Sequence, residues 1–318
     1  MEFDRALAVI NVLSDVQGDH ADFQAALAQL PHMHELDDGV VVVGDVTPRG
    51  FDSEYAAVRE ALAESGYAGR IEWAIGNHEF YRTHWADEGT PAQESWPNGV
   101  REEELFQSFY RFAGRDRVYT EVSFGAAPDA DVPGAGVPGL ILGSERYSRF
   151  HDANLRDEVW FSEEQFAWLE ARLDALAAGG GPVLVFSHHP LPDTVSGTRN
   201  RIFERDYLEA ERLLAVLGQY PNVFFFSGHT HWSLHLADWA VRRVVPGTGN
   251  PYGFVAVNTG VIETEYEDDG AGGERPKPGR AATGVQVRIY ADRVELWARD
   301  FVREEWIAAY PVPLVGSD

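Results

Sequence analysis

A chain of 318 residues that is 44% hydrophobic and 24% charged has enough apolar side chains to bury a large core, which excludes a disordered or fibrous polypeptide. Acidic residues outnumber basic ones by 51 to 26, a formal charge of −25 that repels polyanions and argues against bulk nucleic-acid binding. With no cysteine there are no disulfides, thiolate metal sites, iron–sulfur clusters or cysteine nucleophiles, and the only lysine, Lys277, sits between two prolines where neither a Walker A loop nor a Schiff base is expected.

The opening residues MEFDRALAVINVLSD hold an apolar run with no basic leader before it and no small-residue cleavage site after it. They read as a first strand, and no stretch approaches the ~18 apolar residues that span a bilayer. The expectation is a soluble, cytoplasmic protein. Short apolar runs at 7–13, 39–43, 71–75, 182–186 and 223–226 predict buried strands. Between them, 21–30, 53–65, 163–177 and 206–217 carry helical spacing, with Asp19 as a helix cap and Ser162 with Gln165 as a capping-box start. Later segments at 233–238, 254–258, 284–290 and 293–299 are strand-like with little helix between them, which predicts a second sheet completing a sandwich. The Gly-, Ala- and Pro-rich stretch 125–139 and the Gly-, Glu- and Pro-rich stretch 265–282 read as surface loops within a single domain. Gly134, Gly136 and Gly139 match a dinucleotide fingerprint, but Pro138 and a strand-like Leu140-Ile141-Leu142 follow where a helix would have to open.

The chemistry lies in the residues just beyond each strand. The first strand runs into Ser14-Asp15-Val16-Gln17, the second into Gly44-Asp45 and the third into Gly76-Asn77-His78-Glu79. The fourth runs into Ser187-His188-His189-Pro190 and the fifth into Ser227-Gly228-His229-Thr230-His231. Ligands of open α/β sheets bind at the carboxyl ends of strands, so five such tips can converge on one crevice. Singly, Asp15 or Asp45 is an ordinary turn residue and Asn77 an N-cap. One of the adjacent His188 and His189 is expected to be structural, since neighbours on an extended chain point opposite ways. His229 and His231, two apart on an extended segment, face one side, and Gly228 lets the backbone come close. His20, His32, His34, His84, His151 and His235 read as surface or packing residues. Five strand tips all ending in metal-competent or proton-transfer groups, in a chain without a GxSxG elbow or an HExxH helix, predict one metal site.

The ordered set GD, GNHE, HHP and GHTH closely resembles the calcineurin-like metallophosphoesterase superfamily, over most of the chain from Asp15 to His231. The resemblance implies a four-layer αββα sandwich, two mixed β-sheets flanked by helices, with a dinuclear metal centre at strand C-termini that hydrolyses phosphate esters. Carried over, Asp45 bridges the two metals, Asp15 and His231 complete site one, and Asn77, His188 and His229 hold site two. His78 lies beside the substrate phosphate, with Glu79 behind it to orient its ring. The family usually has Asp-x-His in its first motif; here it is Asp15-Val16-Gln17. Gln17 ligates through oxygen, holds a ligating water, or leaves site one weakened. Either of the first two makes that site richer in oxygen, favouring Mn²⁺ or Fe over a nitrogen-preferring ion, with Zn²⁺, Co²⁺ and Ni²⁺ also open.

The implied reaction is hydrolysis of a phosphomonoester or small phosphodiester by water that the two cations activate. The alternative is a catalytically impaired phosphate-ligand binder or scaffold, disabled at Gln17. The expected partner is a small phosphate ester, with no membrane and no protein partner inferred. The segment 80–117, with Tyr81, Trp85, Trp96, Phe109 and Tyr110, is a candidate cap over the site, its aromatics either stacking on substrate or packing on their own core. Arg199 and Arg201 are read as solvated surface residues or as substrate contacts.

Overall fold

In the computed structural model, which describes residues 5–125, 136–199 and 202–316, four consecutive valines show how the layers are built. Strand β1 (Ala8–Leu13) is followed by helix α1 (His20–Met33), and β2 (Val40–Val43) by α2 (Asp52–Ser65). Val41 and Val43 point into one apolar cluster while Val40 and Val42 join another with the α1 residues Phe23, Leu27 and Leu30. A strand that buries both faces has to be apolar at every position, which is why the run reads as continuous rather than alternating.

The chain continues through β3 (Ile71–Ala74), a hairpin of β4 (Trp85–Asp87) and β5 (Thr90–Pro91), α3 (Glu102–Ala113), β6 (Thr120–Phe124) and β7 (Val137–Ile141). Then come α4 (Glu163–Ala177), β8 (Val183–Phe186), α5 (Ala210–Leu217), β9 (Val223–Ser227), β10 (Ala240–Arg243) and β11 (Phe254–Asn258). A small hairpin, β12 (Tyr266–Asp268) and β13 (Glu274–Pro276), precedes β14 (Thr283–Ile289), β15 (Arg293–Asp300) and β16 (Glu305–Pro313).

One sheet has the order β16-β15-β14-β1-β2-β3 and the other β10-β11-β9-β8-β7-β6, each six strands wide and mixed. Ile10, Val12, Val43, Val287 and Leu296 of the first sheet share a cluster with Phe124, Leu184, Phe186, Phe224 and Phe226 of the second, so the two sheets pack face to face. Phe186 and Phe226 pair across β8 and β9 and stack at 5.1 Å. Helices α1, α2 and α3 cover the outer face of the first sheet, and α4 and α5 that of the second. The result is the expected four-layer αββα sandwich.

Several expectations need correction. The terminal strands do not build a second sheet: β14 pairs antiparallel with β1, so β14, β15 and β16 widen the first sheet, and the second is built around β8 and β9. Apolar content marks a strand but not its partner, and pairing is a long-range choice. The 233–238 segment is a turn rather than a strand, and β6, β10 and β16 are strands that the sequence pattern does not reveal. The fourth predicted helix begins at Ala210, not at 206. The 265–282 loop contains the β12–β13 hairpin. Within 80–117, α3 buries Leu105, Phe106, Phe109 and Phe112 in the core beneath the first sheet, so that part is a layer of the sandwich. Of the glycine-rich fingerprint, Gly134 lies outside the described residues and Gly139 sits in β7.

The caps obey local chemistry. Asp19 accepts from Asp22 N and Ser162 from Gln165 N, as expected. The return half of the box is made by Glu145, whose carboxylate accepts from Ser162 N at 2.6 Å, while the Gln165 amide turns inward to Gly143. No described helix is long and apolar enough to cross a membrane. Truncating Leu296, fully buried between the sheets and two strands from β1, to alanine is expected to cost about 2–5 kcal/mol. Urea unfolding would show it as a lower midpoint with unchanged slope, with metal uptake retained.

Candidate metal centre

Both sheets present strand ends to one pocket. The first supplies Asp15 and Gln17 after β1, Asp45 after β2, and Asn77, His78 and Glu79 after β3. The second supplies His188 and His189 after β8 and His231 after His229 beyond β9. Asp45, buried, accepts from His78 N at 2.9 Å on Oδ1, and its Oδ2 lies 3.1 Å from His188 Nε2 and 3.1 Å from the Gln17 amide nitrogen. Asp15, also buried, sets Oδ1 at 3.0 Å from His231 Nε2 and 3.8 Å from His188 Nε2, and its Oδ2 accepts from His229 N at 3.0 Å. One ligand atom each from Asp45, His188 and His229 lies within 4.8 Å of the others.

The imidazoles are oriented from behind. His188 Nδ1 donates to Val43 O at 2.7 Å, His231 Nδ1 to Thr264 O at 2.8 Å, and His78 Nδ1 to Pro48 O at 2.9 Å. Each bond selects the tautomer whose Nε2 lone pair faces the pocket. Asn77 Oδ1 and His188 Nε2 are buried without a hydrogen-bond partner. Buried polar atoms left unpaired are costly, and once His188 loses its proton both of these atoms offer lone pairs to the pocket. A cation satisfies such a set, so the residues present fit divalent metals.

The backbone is bent to achieve this. Asp15, Gln17, Asp45, His229 and His231 all have φ between 43° and 68°, and they make up five of the eight described non-glycine residues with positive φ. Such conformations cost of order 1–3 kcal/mol each and cluster where function over-determines them. His229 and His231 therefore do not converge along an extended strand, as the sequence suggested, but through two left-handed residues. Gly228 and Gly76 are required by close approach: a Cβ on the first would collide with Ser14 Oγ and Asp15 Oδ2, and on the second with Asp45 Oδ1.

Glu79 has a different partner from the one expected. Its carboxylate accepts from Thr47 N at 3.0 Å, Thr47 Oγ1 at 3.1 Å, Asp45 N at 3.1 Å and Gly76 N at 2.7 Å. It thus pins the turn that carries Asp45, while the His78 ring is held by Pro48. Burial and the adjacent Asp45 push Glu79 up to about 7. Asn77 does not act as an N-cap: its side chain makes no capping bond to the short helical turn of His78–His84. The Gln17 amide reaches both Asp45 and His231 Nε2, each at 3.1 Å, so it occupies the place in the pocket that its motif position implies.

Sequence reasoning missed Asp157 and Asp206, and it named Tyr81 and His189 without these contacts. Tyr81 lies against the His78 ring with centroids 4.4 Å apart, and Asp157 accepts from its hydroxyl at 2.9 Å. The His189 ring packs on His229 at 4.1 Å, and Asp206 Oδ2 lies 3.9 Å from His229 Nε2. Tyr81 stands four residues after Asn77, a spacing that could have been read. Asp157 and Asp206 lie at no strand end and carry no signal. Arg199 is an exposed residue paired with Asp193 at 3.4 Å; Arg201 lies outside the described residues.

Known proteins share this arrangement of strands and motifs. Residues 8–233 match the family model described as calcineurin-like phosphoesterase. The chain belongs to that family. No curated protein matches it. Among solved structures, a dimetal phosphatase from Danio rerio is similar over 98% of this chain and 100% of its own, at 16% identity and a TM-score of 0.64. A purple acid phosphatase from yellow lupin (Lupinus luteus) seeds is similar over 98% of this chain and 55% of its own, at 13% identity and a TM-score of 0.60. The anchor protein of the Plasmodium inner membrane complex covers 98% and 90%, at 10% identity and a TM-score of 0.52. Identities this low show a shared fold. The family makes this phosphoesterase a metal-dependent phosphoric ester hydrolase and implies a dinuclear divalent centre, and the cluster of Asp45, His188 and His229 could hold an ion.

Electrostatics give a test of the pocket. Burial alone would lower His188, but Asp45 and Asp15 outweigh it and hold the imidazole at about 10. Burial likewise opposes His231, which Asp15 raises to about 9. Burial, with His189 and His188 nearby, pushes His229 well below its ordinary value, so it stays neutral. Both raised groups stabilise the chelator-stripped fold fully below pH ~6.5 and lose that contribution as pH rises through their folded values. Metal must displace those two protons. Calorimetric titration at pH 8 in buffers of different ionisation enthalpy should therefore register about two protons released per chain, with metal affinity rising with pH until it levels off near 10.

Proposed function

We propose that this phosphoesterase hydrolyses a small phosphodiester at two divalent cations, with Asp45 bridging them, Asp15, His231 and Gln17 at site one, and Asn77, His188 and His229 at site two. The observation that carries the reading is the buried convergence of Asp45, His188 and His229, with ligand atoms within 4.8 Å of one another. The chemistry that paired divalent cations supply at such donors is polarisation of phosphoryl oxygens and activation of a water for in-line attack on phosphorus. No nucleophilic side chain is required, in keeping with a chain without cysteine.

His78 is suited to the leaving group. Its Nδ1–H is committed to Pro48 O, and its Nε2 faces the pocket 3.7 Å from Asp45 Oδ2 on a quarter-exposed side chain. Once it has taken up a second proton, at Nε2, a ring held in that way can pass that proton to a departing alkoxide, or as the imidazolium stabilise charge on the phosphoryl oxygens. Glu79 contributes by holding the Asp45 turn. The diester preference rests on charge. Among the described residues no arginine or lysine bonds to any of the seven proposed ligands, and the neighbouring groups include the carboxyls of Asp157 and Asp206. A monoester's second negative charge would find one arginine, Arg146, lining the cavity beside Asn77 and His188, and no cation bonded to the ligands themselves. The Gln17 amide, which here turns its nitrogen to Asp45 and His231, would have to present its oxygen to ligate, and a site one completed in that way would favour Mn²⁺ or Fe.

Aryl mono- and diesters assayed with added Mn²⁺ test the reading. Wild type is expected to turn over the diester faster, and Asp45→Asn to lose both activity and bound metal. His78→Ala should retain its metal while kcat falls about 10²–10⁴-fold. Metal uptake without turnover of any ester under any metal would make the protein a phosphate-ligand binder instead. Gln17→His should tighten the weaker site and shift its preference towards Zn²⁺, measured by competition between the two ions.

A further inference from the structure

An asparagine amide can offer a metal either its oxygen or, turned by 180°, an NH₂ group that cannot ligate. Something must choose. Asn77 Nδ2 donates to the Tyr81 hydroxyl at 2.8 Å, and that hydroxyl donates to Asp157 Oδ2 at 2.9 Å. All three groups are largely buried, and Asn77 Oδ1 is left without a partner. An ionised carboxylate only accepts, so the Tyr81 O–H donates to Asp157, and the Tyr81 oxygen is then free only to accept. The amide must therefore present Nδ2 to Tyr81 and Oδ1 away from it. The short helical turn His78–His84 brings residues 77 and 81 together, and Asp157 arrives from the loop anchored where Val159 N donates to Asp206 O at 2.7 Å. Asn77, Asp157 and His188 line the same small cavity, so the chain of bonds ends beside the proposed ligands of site two.

We propose that Tyr81 and Asp157 are positioning residues that set the amide of Asn77 for metal, with the Tyr81 ring at the same time backing the His78 imidazole at 4.4 Å. This rests on the reading of Asn77 as a ligand of site two. Hydrogen-bond partners behind metal ligands contribute about 10–100-fold to metal affinity, and an amide that can turn over is the ligand type with most to lose.

The test reads metal binding rather than turnover. Mn²⁺ affinity and stoichiometry would be measured by calorimetry on stripped wild type, Tyr81→Phe, Asp157→Ala, Asp157→Asn and Asn77→Ala, with the urea midpoint of each stripped protein measured alongside. Tyr81→Phe keeps the ring and loses only the hydroxyl. It and Asp157→Ala are expected to weaken one of the two ions by about 10–100-fold. Asp157→Asn, which still has an acceptor oxygen, is expected to restore most of that affinity. Asn77→Ala should weaken the same ion. If Asn77→Ala weakens an ion but Tyr81→Phe binds within twofold of wild type, the relay is wrong while the ligand set stands. A lower urea midpoint with unchanged affinity assigns Tyr81 to packing alone and equally overturns the proposal. Should wild type take up no metal, or Asn77→Ala bind both ions as tightly as wild type, the reading of the site falls first and the relay with it.

Discussion

Asp45 Oδ2 and His188 Nε2 stand 3.1 Å apart, and the two residues belong to different sheets. Asp45 leaves β2 and His188 leaves β8, so the contact spans the whole sandwich at the level where the strands end. Around it Asp15, Gln17, Asn77 and His231 bring further polar groups into a largely buried space. Coulomb repulsion and desolvation both oppose such a cluster. It persists because the packed phenylalanine and valine faces of the two sheets hold the strand ends in place, and because left-handed turns at five of its residues aim the side chains inward. Core packing and backbone strain are thus two sides of one constraint: the sandwich supplies the rigidity that the strained turns need.

The support behind the donors is as specific as the donors. Glu79 makes four hydrogen bonds to the turns of Asp45 and Gly76, and Val43, Thr264 and Pro48 each fix one imidazole through a backbone carbonyl. Carbonyl partners select a tautomer without adding charge. That matters in a chain with a net charge of −25, where a further carboxylate at each histidine would deepen the repulsion felt by an anionic substrate. Surface charges beyond the ~8 Å Debye length are largely screened in physiological salt, so the local charge of bound cations governs what enters the pocket.

Much of this was legible from the order of residues along the chain. Of the five strands that end in the pocket, β2, β8 and β9 are nearly continuous apolar runs with both faces buried, whereas β1 carries Asn11 and the partly buried β3 carries Glu72, and such apolar runs can be read locally. The polar groups just beyond them lie at the strand ends because ligands of such sheets collect there. In the structure Asp15, Gln17, Asp45, Asn77, His188, His229 and His231 lie at those strand ends. The partner of β14 and the strands β6, β10 and β16 were not legible, since β6 and β16 alternate or mix polar residues like many loops and gain strand structure only from a neighbour. The role of Glu79 was misread for a related reason: its bonds go to backbone N–H groups, which every sequence possesses and none advertises.

The sequence by itself determined the layered class, the inner strands, the family and the residues able to ligate metal, because each of these depends on side-chain type and short spacing. Tertiary structure alone decided which sheet each strand joined, that His229 and His231 converge through left-handed turns, and that Tyr81, Asp157, His189 and Asp206 stand behind the ligands. Those outcomes depend on contacts between segments tens to hundreds of residues apart. Such contacts are chosen by the packing of the whole sandwich and leave no periodic trace in the chain.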